Sequence, residues 1–147
     1  MINRSELKTE QQNINSENVD SMSTEDILQL INDEDRKIAL IIEKSIPKIK
    51  NIIQYAVKSI QSGGRVFYIG AGTSGRLGVL DASELRPTFS LKQNTFVALI
   101  AGGDKALRNS IEGAEDDSQS IIDELKGYCL TEEDTIIGIS CSGAAEY

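Results

Sequence analysis

The sequence predicts an α/β fold: a doubly wound parallel sheet with three strands present and the sheet incomplete, preceded by an N-terminal helical segment. Three observations carry this. The runs at 65–69 (RVFYI), 95–101 (TFVALIA) and 135–140 (TIIGIS) are apolar almost throughout, as strands are when helices cover both faces of a sheet. Helical patterns lie between them, at 74–85, 105–112 and 117–126. Each strand then opens into a glycine-bearing loop, GAGTSGR, AGGDKA and SCSGAAEY. Alternating strands and helices favour parallel pairing through right-handed crossovers.

Taken in order, residues 1–22 are polar and without apolar period, and read as an extended arm. Residues 23–62 read as helices. Ser23 and Thr24 can cap a first helix over 25–32, a second follows over 34–44, and Pro47 suits the first turn of a third. In that third helix Ile49, Ile52, Ile53, Ala56, Val57 and Ile60 form one stripe expected to be buried, ended by Gly63 and Gly64. Residues 63–147 then form the ligand-binding domain, cut short at its C-terminal end.

Charge and composition narrow the ligands. A formal net charge of −8 with no long Lys/Arg run argues against nucleic acid and anionic membranes as partners. No apolar run approaches a membrane span and the N-terminus lacks an apolar leader, so a cytoplasmic chain is expected. The absence of histidine removes the commonest general base and metal ligand, leaving acid–base work to carboxylates, Tyr, Lys or Cys, and no metal is expected. Cys129 and Cys141 make neither a disulfide framework nor a zinc-ligand pair.

Within FYIGAGTSGRLG, Gly70, Gly72 and Gly75 have the spacing of a dinucleotide-binding turn. The physics is shared with other phosphate sites, because glycines let the first amides of a helix face an anion. A dinucleotide site also needs an acidic residue closing the second strand, and Asp104 comes late. Hydroxyls beside glycine in two of the loops better suit one compact phosphate. The candidate phosphate-binding residues are Gly72, Thr73, Ser74, Gly75 and Arg76 in the first loop, with Ser140, Ser142 and Gly143 in the third. The plain alternatives are that Ser74 is an N-cap, that Arg76 is a surface cation and that Tyr147 is frayed.

The stretches SENVDSMSTEDILQLINDED, GGRVFYIGAGTSGRLGVLDASE, LIAGGDKALRNSIEGAEDD and LTEEDTIIGIS resemble the N-acetylmuramic acid 6-phosphate etherases, over about residues 16–140. Relatives of that family include the regulatory protein of glucokinase, which shares the sugar isomerase (SIS) architecture without being an etherase. The resemblance implies a SIS-type sheet and a cytoplasmic homodimer that needs no cofactor. It also implies a lyase that removes D-lactate from N-acetylmuramic acid 6-phosphate to leave N-acetylglucosamine 6-phosphate in cell-wall sugar recycling. Elimination is followed by hydration: a base takes the C2 proton of the ring-opened sugar, an acid protonates the departing lactyl oxygen, and water adds. The family pattern assigns the acid to Glu84, in DASE, and the base to Glu115, in EGAE. The acid must keep its proton near neutrality, through burial or a neighbouring carboxylate such as Asp81. A non-catalytic sugar-phosphate-binding regulatory protein is the alternative.

Three departures from the family pattern bear on the site. LRPTFS follows DASE where CPPTFG is usual, and Arg86 beside Glu84 would favour a charged carboxyl, the wrong direction for a proton donor. The third loop reads SGAAEY rather than SGRTPY, so Ala144, Ala145 and Glu146 weaken the expected phosphate site. The sequence stops after the third strand where the family continues, so it reads as the N-terminal portion of an etherase whose activity needs the rest of the domain.

Overall fold

The computed structural model describes residues 6–147. Contacts divide the chain into two units, meeting between Ile53 and Gln54.

In the first unit, the arm expected over 1–22 begins outside the described residues. Its described part is not extended throughout, because three short 3-10 turns form at Lys8–Glu10, Ile14–Ser16 and Val19–Ser21. Asn13 Oδ1 accepts from the Asn15 amide at 2.9 Å, and Asn15 Nδ2 donates to Glu34 Oε1 at 2.7 Å. Local side-chain acceptors of this kind let a polar segment turn without a core.

The three helices expected over 23–62 are one helix, α1, at Thr24–Gln61. Ser23 caps it, accepting from the Asp26 amide at 3.1 Å and donating to Asp26 Oδ2 at 2.6 Å. No glycine interrupts Thr24–Gln61, and the acidic stretch at 33–35 stays helical, supported by Asp33–Arg36 and Glu34–Lys37 pairs one turn apart. Pro47 lies inside the helix rather than starting one. It removes a single donor, the one that would reach the Glu43 carbonyl. The stripe expected to be buried is largely exposed: Ile52 and Ile53 keep 48% and 56% of their surface. Apolar periodicity identifies a face; it does not supply a cover for it.

The second unit holds the sheet. Its strands are β1 (Val66–Gly70), β2 (Phe96–Ile100) and β3 (Thr135–Ile139), all parallel, in the order β2-β1-β3. Between them come α2 (Gly72–Phe89) and α3 (Ser118–Gly127). The helix expected over 105–112 is instead a 3-10 segment at Gly103–Leu107, followed by a loop. Gly102 and Gly103 both take left-handed φ, of 84° and 64°, a geometry that opens a turn rather than an α-helix.

The sheet is doubly wound, and its core shows this directly. Phe67, Val97 and Leu99 point to one face and form a buried cluster with Ile121 of α3, with Ile69 and Leu125 packed against it. On the opposite face α2 approaches so closely that a methyl group at Gly78 would lie 3.1 Å from Ile139 and 3.2 Å from Tyr68. The chain therefore crosses from β1 to β2 over one face and from β2 to β3 over the other, as right-handed crossovers on either side of a central strand require. The reversal of direction at β1 creates a crevice past the carboxyl ends of the strands.

Candidate functional site

At the end of β1 the chain leaves the sheet through Ala71, extended, and Gly72, left-handed at φ 55°, and enters α2 at once. Ala71 is the N-cap and offers no side-chain acceptor, so the first-turn amides of α2 face the crevice without a side-chain cap. Ser74 is therefore not the cap. It is half-buried inside the first turn, and Thr73 beside it is exposed. Gly75 is buried where α2 crosses β1, and its amide donates to the Ala71 carbonyl at 3.1 Å.

Against this helix start lies a cleft of about 240 Å³. One wall is Ala71, Gly72 and Arg76; the end of β2 contributes Ala101; the far wall is the loop from Asn109 to Glu115. Arg76 is no plain surface cation. It is half-buried, donating from Nε to the Leu107 carbonyl at 3.3 Å and from a terminal nitrogen to the Asn109 carbonyl at 3.0 Å. It thereby fastens the loop after β2 to α2 while holding its charge at the cleft. Glu115 lies in a 3-10 turn at Ala114–Asp116, entered through left-handed Gly113. The cap of α3 is Asp117, which accepts from the Ser120 amide at 3.0 Å, so Glu115 is not needed for that task.

The third loop folds on itself. Ser140 Oγ accepts from the Gly143 amide at 2.8 Å, and Ser142 Oγ accepts from the Ala144 amide at 3.2 Å. Each hydroxyl keeps its own proton to donate, but an anion here would compete for amides already bonded. Ser140, Ser142 and Gly143 do not line the cleft; the loop meets it through the backbone, where the Glu146 and Tyr147 amides donate to the Glu115 carbonyl. Tyr147 is not frayed. Its ring packs against the α3-side core, and burial pushes its phenol well above the ordinary range, with Glu124 adding to the effect.

Glu84 stands apart. It follows Gly72 by twelve residues on α2, about 18 Å along the axis at about 1.5 Å per residue. It is exposed, and the cleft does not include it. A second hollow of about 190 Å³ beside the C-terminal half of α2 takes in Ser83, Leu85 and Arg86 but again not Glu84. Residues two apart on a helix face different ways, so Arg86 is not aimed along with Glu84 despite its closeness in sequence. Behind α2, burial raises the Tyr68 hydroxyl to about 12, with Asp81 reinforcing the shift, so this phenol is a donor and not a base near neutrality.

Of the sequence-predicted residues, then, Gly72, Arg76 and Glu115 line the cleft, while Thr73, Ser74, Gly75, Glu84, Ser140, Ser142 and Gly143 do not. Asn109 and Ser110 also line the cleft and the Tyr147 amide bonds to the Glu115 carbonyl; sequence reasoning selected none of the three. Only Tyr147, an aromatic in a polar loop, gave any signal. Chemically, the cleft offers helix amides and a guanidinium for an anion and carboxylates at its far wall for proton transfer.

The description "Glucokinase regulatory protein N-terminal SIS domain" belongs to the family that matches residues 48–147. Among curated proteins, the N-acetylmuramic acid 6-phosphate etherase of Caldanaerobacter subterraneus subsp. tengcongensis is 50% identical over 97% of this chain and 46% of its own length. The etherase of Bacillus cytotoxicus is 47% identical over 96% of the chain and 48% of its own length. That of Mycoplasma mycoides subsp. mycoides SC is 46% identical over 97% and 47%. The chain spans about half the length of these relatives.

Proposed function

We infer a function from one premise, that this chain belongs to the family of the glucokinase regulatory protein N-terminal SIS domain. Within it, the chain is the phosphosugar-binding part of an N-acetylmuramic acid 6-phosphate etherase, the activity named in relatives at 45–50% identity. The observation that carries this reading is the cleft at the end of β1, where uncapped α2 amides and Arg76 face Glu115. A 6-phosphate at the helix start would leave the sugar ring extending toward the far wall.

Glu115 then takes the proton at C2, and Glu84 protonates the lactyl oxygen as it leaves. The freed electron pair forms the C2–C3 double bond conjugated with the aldehyde as the C3–oxygen bond breaks and D-lactate departs, and water then adds across that double bond to give N-acetylglucosamine 6-phosphate. Because Glu84 lies about three turns down α2, the acid has to reach the sugar from outside this cleft. That supports assembly as a homodimer. The Ser140 and Ser142 hydroxyls and Gly143 belong to the loop whose Glu146 and Tyr147 amides reach Glu115, but they do not line the cleft and do not enclose the phosphate.

The second reading, a non-catalytic sugar-phosphate-binding regulator, is favoured by the distance of Glu84 from the cleft and by the Ala144–Glu146 loop. Incubation with N-acetylmuramic acid 6-phosphate separates them. The etherase releases D-lactate, and Glu84→Gln abolishes release while leaving binding nearly intact; saturable binding by folded protein with no lactate supports the regulator.

A further inference from the structure

The loop that carries Glu115 is weakly held by its own hydrogen bonds. The Ala114 amide reaches the Ile111 carbonyl at 3.4 Å, Asp116 reaches Gly113 at 3.2 Å, and Asp117 reaches Ala114 at 3.4 Å. Two of these lengths lie beyond the usual range, in keeping with the poorer hydrogen-bond geometry of a 3-10 turn. Gly113, left-handed at φ 75°, adds a permissive joint at the start of the turn.

Shorter bonds come from elsewhere. The Glu115 carbonyl accepts from the Glu146 amide at 2.9 Å and from the Tyr147 amide at 3.1 Å, so both lone pairs are engaged by the segment following β3. That segment is itself anchored through one side chain. The Tyr147 ring packs against the buried cluster of Phe67, Val97, Leu99 and Ile121, and its hydroxyl donates to Glu124 Oε2 at 3.3 Å. The anchor thus stands on the sheet and α3 and reaches, through two amides, the turn forming the far wall of the cleft.

We propose that Tyr147 is a positioning residue: by packing on the α3 side of the sheet it clamps the Glu115 backbone and fixes where the Glu115 carboxylate stands in the cleft. The claim rests on the reading of Glu115 as the proton acceptor, but the clamp itself is independent of turnover. Most of the anchoring comes from the ring, because 3.3 Å is long for a hydroxyl donating to the part-buried Glu124 carboxylate.

The test uses the full natural polypeptide with Tyr147→Ala and Tyr147→Phe, read by amide hydrogen exchange and by D-lactate release. In Tyr147→Ala, exchange over 111–117 should rise at least about fivefold while β1 is unchanged, because the turn opens locally without global unfolding. Lactate turnover should fall about tenfold in kcat with KM within about threefold, as expected when a proton acceptor is misplaced rather than substrate binding lost. Tyr147→Phe should restore both to within about twofold. If Tyr147→Ala does not fold, Glu146→Pro, which deletes one of the two donors and keeps the ring, should raise exchange over the same turn. Unchanged exchange over 111–117, or a rise that spreads equally through β1, overturns the clamp. Wild-type protein that releases no lactate overturns the etherase reading instead, and the exchange data still decide the clamp.

Discussion

At the scale of single residues, a multiply bonded ion pair lies at the opposite end of the sheet from the cleft. Asp134, whose side chain keeps 2% of its surface, accepts from the Arg65 amide at 2.7 Å, from Arg65 Nε at 3.1 Å and from the Thr131 amide at 2.9 Å. A terminal guanidinium nitrogen of Arg65 adds a bond at 2.8 Å, and the same guanidinium lies 4.9 Å from the centre of the Phe67 ring. Arg65 holds the Asp134 carboxyl well below the usual carboxylate range. A group with a depressed folded pKa stabilises the fold fully above its unfolded value, about 3.9, and loses that contribution as pH falls further. Asp134→Asn should therefore cost roughly 2 kcal/mol at pH 7, with the gap from wild type shrinking below about pH 4, as urea unfolding across pH would register. Nothing in the sequence marked this pair, since its partners stand 69 positions apart and a short run such as EEDT looks like any solvated turn. Glu84 is the converse case: its motif was legible, but the helix face it occupies was not.

The elements divide by how local their cause is. All three strands are found where the apolar runs lie; β1 and β2 carry the buried β-branched and aromatic residues such runs predict, while β3 alternates half-buried and exposed residues, with Ile136 keeping 46% of its surface. Helix boundaries inside α1 were not legible, because polar residues at 32–35 lower helix propensity without breaking it and a lone proline leaves the remaining bonds intact. The 3-10 segment at Gly103–Leu107 depends on paired left-handed glycines that the apolar period of the following residues masks. The contact of α2 with β1 turns on Gly75. A methyl group there would lie 2.5 Å from the Gly70 carbonyl oxygen and 2.7 Å from Ile100 Cγ1, and one of those neighbours is backbone. Gly75→Ala should destabilise the domain by about 2 kcal/mol or more and disturb the mouth of the cleft, while Gly127→Ala, with open space around it, should not; thermal unfolding of the two variants makes the comparison.

On the scale of the whole molecule, the location of the site follows from topology. The order β2-β1-β3 opens a crevice at the end of the central strand, and the three glycine-bearing loops all leave the sheet at that edge. That much was readable from the sequence, because strand–helix alternation dictates both the parallel sheet and the end at which loops gather. Which loop residues meet was not readable. Arg76 spends two donors on loop carbonyls, and the third-loop hydroxyls accept from amides of their own loop; both depend on distances that no spacing rule encodes. The central claim is that a sugar 6-phosphate sits at the start of α2, facing Glu115. The most direct measurement is an NMR titration of backbone amides with N-acetylglucosamine 6-phosphate, run beside unphosphorylated N-acetylglucosamine. Saturable shifts should concentrate at residues 71–76 and 109–115 and require the phosphate. Shifts confined to other surfaces, or identical with both sugars, would contradict it.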